Sequence, residues 1–185
     1  VLASAIMVTR GGVQLAFFFV PGSTFSLGRD LGLPVTILLT VVTINAINFI
    51  DGLDGLAAGV AAIGAGAFFV YSYHLGQAGL IEITAAPTLL AAVLAGTCIG
   101  FLPHNFFPAK VFMGDSGSML VGLMLAAAAT TATTSTDPQQ LAGAAGAIPL
   151  ALPLAIPLAV LVIPLIDLLL AVVRQRSRRA PLYRL

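Results

Sequence analysis

LGLPVTILLTVVTINAINFIDGLDGLA, residues 31–57, decides how this chain is read. Leu31 to Ile50 is about 20 residues with one early proline, Pro34, and is apolar enough to span a bilayer as a helix. It delivers the chain directly onto Asp51-Gly52-Leu53-Asp54-Gly55. Carboxylates at the rim of a membrane are costly, so they mark a substrate, ion or metal site.

Composition agrees with the quoted stretch: 59% of the 185 residues are hydrophobic and only 8% are charged, against about a quarter charged in soluble domains. The expected fold is all-α, a polytopic transmembrane helical bundle of about five to six spans, with residues 1–185 forming one integral-membrane domain. The net charge of +1 says nothing about a nucleic-acid partner, and none is expected. Cys98 is the single cysteine and sits in an apolar run, which excludes a disulfide framework and a cysteine-built metal site.

Val1 to Thr9 reads as the end of a helix, and Gly11 to Asp30 as a loop containing the strand-prone run Phe17-Phe18-Phe19-Val20. Further crossings are expected over Leu56–Tyr73, Pro87–Leu102 and Ser118–Thr134. A last, long apolar stretch, Leu141–Val173, is broken by Pro149, Pro153, Pro157 and Pro164. Two spans separate the Asp51 turn from the Phe106–Gly117 loop, so both must lie on one side of the membrane. Lys110 and the cluster Arg174, Arg176, Arg178, Arg179 and Arg184 fall on that side, and only Arg10 and Arg29 on the other, which makes the shared surface cytoplasmic.

The two acidic segments are chemically specific. Asp51 and Asp54 are three residues apart, neighbours on one face of a helical turn, and their glycines allow close backbone approach. In Phe112-Met113-Gly114-Asp115-Ser116-Gly117-Ser118, one aspartate stands at a helix start with Ser116 and Ser118 as candidate caps, where backbone N–H groups favour an anion such as phosphate. Magnesium takes one or two carboxylates and completes its shell with water and phosphate oxygens, which suits Asp115 as a ligand next to a diphosphate. The residues therefore predict a metal-assisted phosphate site in which Asp51, Asp54 and Asp115 converge.

The motifs Asn45-x-x-Asn48-x-x-Asp51-Gly52-x-Asp54-Gly55-Leu56-Ala57 and Asn105-x-x-Pro108-Ala109-x-x-Phe112-Met113-Gly114-Asp115-x-Gly117-Ser118 resemble those of the polyprenyl-phosphate N-acetylhexosamine-1-phosphate transferases. The resemblance implies transfer of a sugar 1-phosphate from a UDP-sugar to a membrane polyprenyl phosphate, with release of UMP. The implied cofactor is magnesium, with manganese as a substitute, and the implied location is the inner (plasma) membrane, where the product starts cell-envelope polysaccharide synthesis. It assigns Asp115 as the metal-binding catalytic aspartate and Asp51 and Asp54 as the acidic pair of the nucleotide-sugar cleft. Asn105 and Phe112 match positions associated with the nucleotide, the Phe112 ring being suited to stack on uracil, and Gly114 falls with them among the substrate-binding positions. The Ile50-Asp51 and Asp115-Ser116-Gly117-Ser118-Met119 variants look more like the GlcNAc-1-phosphate branch than the phospho-MurNAc-pentapeptide branch.

The same resemblance implies an adjacent Asp-Asp pair upstream and a His-rich loop downstream, neither of which this sequence contains. The chain is therefore expected to be a fragment of a longer multi-span transferase. Other readings stay open. Asn45 and Asn48 either bond neighbouring helices or face the ligand, and Asp167 is left without a role. Gly55-x-x-x-Gly59 and Gly96-x-x-x-Gly100 are expected to serve close helix packing, and His74 and His104 to be structural. A homodimer is compatible with such a bundle, although no residue reads it out. An ion-coupled transporter could also place aspartates at broken helices, but near the bilayer midplane rather than at span ends.

Overall fold

A computed structural model describes residues 28–79 and 86–134, together with Ile6, Gly11, Gly12, Leu15, Ile81 and two short strands. Strands β1 (Phe17–Val20) and β2 (Ser23–Ser26) pair antiparallel as a hairpin ahead of the first long helix. Four long helices follow: α1 (Gly28–Ile50), α2 (Leu56–Gln77), α3 (Ala86–Asn105) and α4 (Gly114–Thr134). The first three are long and apolar enough to cross a membrane. At 1.5 Å per residue each extends about 30 Å, the thickness of the hydrocarbon layer. The expected Leu141–Val173 span, the arginine cluster after it, Asp167, and the Val1–Thr9 helix end lie outside the described residues, apart from Ile6.

The helices begin and end close to where apolarity predicts, and the differences have local causes. α1 starts at Gly28 rather than Leu31, which puts Pro34 a full turn inside, where it cannot donate to the Asp30 carbonyl. α3 continues through Pro103 to Asn105, so it too carries a proline in its last turn. α4 starts at Gly114, four residues before the expected Ser118, because Gly114 adopts φ +68 and turns the chain into the helix. Asp115 thereby lands in the first turn, where the helix dipole favours a negative charge.

Consecutive helices are not always the closest neighbours. α2 packs mainly on α3 and α1 mainly on α4, while α1 and α2 barely touch; α4 reaches all three others. The core is built from small residues on α2 (Ala57, Ala58, Ala61, Ala65) with Phe68, set against Ile47, Ala91, Leu94, Cys98, Leu125 and Ala129. Small side chains matter in lipid, where helices associate through close contact and internal polar bonds rather than through exclusion of water. The buried threonines of α1 follow the same logic: Thr36, Thr40 and Thr43 donate to the carbonyls of Gly32, Thr36 and Leu39 on their own helix, so these three hydroxyls are bonded.

Among the described glycines, the tightest approach to another backbone is where α4 crosses α1. A Cβ built on Gly122 would stand 2.7 Å from Ile44 Cα and 3.1 Å from Thr43 O. The Gly-x-x-x-Gly expectation is corrected here. Among the described residues nothing lies within 4 Å of a Cβ on Gly59, Gly96 or Gly100, and Gly55 is a turn residue with φ +74.

Candidate functional site

One end of the bundle gathers the C-terminal ends of α1 and α3, the N-terminal ends of α2 and α4, and the two connections 51–55 and 106–113. Three cross-connections hold it. Asn48, in the last turn of α1, donates through Nδ2 to Asp115 Oδ1 (3.2 Å) and to Ser118 Oγ (2.9 Å) on α4. The backbone N–H of Gly55 donates to Asn105 Oδ1 (3.1 Å) at the end of α3. The N–H of Ala109 donates to Asp54 Oδ2 (3.0 Å). The expectation that both acidic motifs share one end of the bundle thus holds, and both stand at helix ends.

The two aspartates of the first motif part company. Residues 51–55 form a turn between helices, not a helical turn of their own. Asp51 is half-buried beside Asp115, and its carboxyl is pushed above the usual carboxylate range, first by burial and then by the Asp115 charge. Asp54 instead accepts from Ala109 and fixes the 106–113 loop. The expected convergence of three carboxylates is accordingly corrected to a pair, Asp51 and Asp115, with Asp54 as an anchor. Among the described residues no three acidic, histidine or cysteine side chains form one metal-holding cluster.

Asn105, expected at the nucleotide, lies behind the site. It is 4% exposed, accepts from Gly55 and donates through Nδ2 to Val111 O (3.0 Å). A buried amide with both ends bonded joins the two connections, one to the other. The loop itself is pinned to α3, since Lys110 N and Val111 N both donate to His104 O. Phe112 is 73% exposed and Gly114 and Asp115 are exposed beside it, so ring, turn and carboxylate are all reachable from outside. Asn45 is exposed and bonds only Val41 O on its own helix, whereas Asn48 bridges to the neighbouring helix.

Ser118 is not the cap the sequence suggests. It is fully buried, and its hydroxyl donates to the Gly114 carbonyl (3.1 Å) or the Asp115 carbonyl (3.2 Å) while accepting from Asn48. The sequence carried one signal for this, the spacing of Ser118 one turn after Gly114, but not its partner on α1. Below the first turn of α4, an apolar cavity of about 420 Å³ lies between α3 and α4. Met113 and Gly117, which bracket Asp115, form part of its wall, with Leu94, Cys98 and Val121 deeper in.

One end of the helical bundle thus gathers Asp51 and Asp115, two helix N-termini and an exposed ring. Residues 1–133 match glycosyl transferase family 4, and the chain belongs to that family. It is 45% identical over 187 residues to the decaprenyl-phosphate N-acetylglucosaminephosphotransferase of Mycolicibacterium smegmatis, covering 98% of this chain and 46% of that protein. With the protein of the same description from Mycobacterium tuberculosis H37Rv the identity is 44% over 178 residues, 95% of this chain and 44% of the relative. A phospho-N-acetylmuramoyl-pentapeptide-transferase of Desulforudis audaxviator is 41% identical over 134 residues, 68% of this chain and 37% of that protein. The chain therefore spans less than half the length of the curated relatives it matches.

Proposed function

We propose that this chain forms part of a transferase that moves GlcNAc-1-phosphate from UDP-GlcNAc to a membrane polyprenyl phosphate and releases UMP. The observation that carries the reading is Asp115, held by Asn48 at an exposed end of the bundle, with Asp51 near it just past the end of the helix that carries Asn48. Coverage of nearly the whole chain by the two mycobacterial relatives favours this sugar over phospho-MurNAc-pentapeptide, since the Desulforudis audaxviator transferase of that description aligns with only 68% of it. The position of the carboxylates at helix ends argues against an ion-coupled transporter, whose sites belong near the midplane.

Two oxygen-donating carboxylates at one end of the bundle, Asp51 partly buried and Asp115 exposed, are a donor set that magnesium or manganese fits. Asp115 and Asp51 would hold the ion, and when bound it would neutralise charge on the diphosphate. The rest of the task falls to the protein. The acceptor is a phosphate monoester, largely ionised near neutrality, so its attack on the sugar-bearing phosphorus needs alignment more than a strong base. The first turn of α4 offers its N–H groups and dipole to the phosphates. Phe112 offers an exposed face for the uracil ring. The apolar cavity beside Asp115 suits an acceptor whose phosphate is attached to hydrocarbon. The excess of Lys and Arg on this side supports a cytoplasmic active site at the inner membrane.

The test is release of UMP from UDP-GlcNAc by the full-length protein in membranes containing polyprenyl phosphate, with and without divalent metal. Asp115→Asn is expected to reduce turnover at least about a thousandfold, comparable to losing a main electrostatic contributor. Unchanged turnover in that variant overturns the assignment, and preference for UDP-MurNAc-pentapeptide in competition moves the protein to the other branch.

A further inference from the structure

We propose that Ser118 is a positioning residue for Asp115, acting through Asn48; this rests on the transferase reading above. The argument begins with proton counting. The Ser118 hydroxyl has one hydrogen, and it is directed at the carbonyls of Gly114 (3.1 Å) and Asp115 (3.2 Å) in the first turn of α4. Only its lone pairs remain for Asn48, so at 2.9 Å the Asn48 amide must present Nδ2 and not Oδ1. The second hydrogen of that Nδ2 then points at Asp115 Oδ1, 3.2 Å away. Ser118 anchors the amide with its N–H side toward α4, and the anchored amide fixes where the carboxylate stands.

The alternative orientation would set Asn48 Oδ1 against the Asp115 carboxylate, oxygen against oxygen. Asp115 Oδ1 and Ser118 Oγ are the two described acceptors of Asn48 on α4, so without the Ser118 oxygen the amide keeps only its bond to the carboxylate and nothing on α4 holds the amide itself in place. The helices themselves cannot slip to compensate. One turn deeper, the Gly122 and Ile44 backbones are in direct contact, so the seam that carries Asn48 opposite Ser118 is held at a fixed spacing. Ser118 is fully buried and out of reach of solvent, which separates it from a serine exposed for ligand binding.

Misplacement of a reacting group by about 1 Å costs on the order of a hundredfold in rate. In the full-length protein, Ser118→Ala is therefore expected to lower kcat for UMP release about tenfold to a hundredfold, with KM for UDP-GlcNAc within about twofold of wild type. Asn48→Ala should lower kcat at least as much. The double variant should match Asn48→Ala alone, because Ser118 acts only through that amide. Ser118→Cys, whose sulfur is a weak acceptor of similar size, should recover part of the loss. If Ser118→Ala reduces the yield of folded protein, the same cycle is run with Ser118→Cys.

Multiplicative losses in the double variant, or wild-type kcat in both Ser118 variants, would sink the positioning role. A wild-type protein that releases no UMP from UDP-GlcNAc would instead remove the transferase reading, so the two failures are told apart.

Discussion

The seam between α1 and α4 and the seam between α2 and α3 use opposite chemistry. At α1–α4 the backbones touch at Gly122, and the polar groups above it, Asn48, Asp115 and Ser118, are bonded to one another. The α2–α3 seam is lined by alanines, Phe68, Leu94 and Cys98, and among the described residues two buried hydroxyls there, Ser72 and Thr88, have no hydrogen-bond partner. The first seam fixes an arrangement of side chains; the second supplies contact area. Function is expected to follow the first and bulk stability the second.

The largest effect that would break this contrast comes from glycines. Gly122→Ala puts a methyl 2.7 Å from Ile44 Cα, so the seam must open. A loss of about 1–3 kcal/mol in stability is expected, with activity falling further because Asn48 is drawn away from Asp115. Gly96→Ala and Gly100→Ala, with nothing described within 4 Å, should leave both unchanged. Thermal unfolding of the full-length protein in detergent, paired with UMP release, compares them; equal effects at Gly122 and Gly96 would abolish the distinction.

Next in size is a comparison of bonded with unbonded polar groups. Asn105→Ala strips Gly55 N–H and Val111 O of their partners and should cost about 1–3 kcal/mol, whereas Ser72→Ala removes an unbonded hydroxyl and should be neutral or mildly stabilising. The same melting measurement decides the order.

The smallest effect concerns the carboxylate pair. Because Asp51 has a folded-state pKa above its unfolded one, its neutral form favours the folded protein at acid pH, and that contribution is lost as pH rises through the raised value. Asp51→Asn should thus raise the melting temperature by about 1–2 °C near neutrality without metal, the modest size expected for a half-exposed group. The gain should vanish below the ordinary aspartate range. A gain that persists at low pH would mean that charge is not its cause.

Much of this molecule was legible in the chain because membrane helices are specified locally. Apolar length locates α1, α2, α3 and α4 to within a few residues, and counting crossings puts both acidic motifs at one end of the bundle. Backbone hydrogen bonds in lipid must be made within the helix, so the sequence of a span carries most of its own structure.

What local sequence could not supply was partnership between helices. Asp51 and Asp54 are equivalent by spacing, yet one faces Asp115 and the other holds Ala109. Gly96 and Gly122 look alike in the chain, yet only Gly122 meets a backbone. Ser118 reads as a cap until Asn48 is seen across from it. Helix formation and sidedness depend on each residue's own chemistry and period, and the sequence determined them. Which side chains become a site depends on which helix lies alongside and at what rotation, and only the tertiary packing of α4 against α1 decided that.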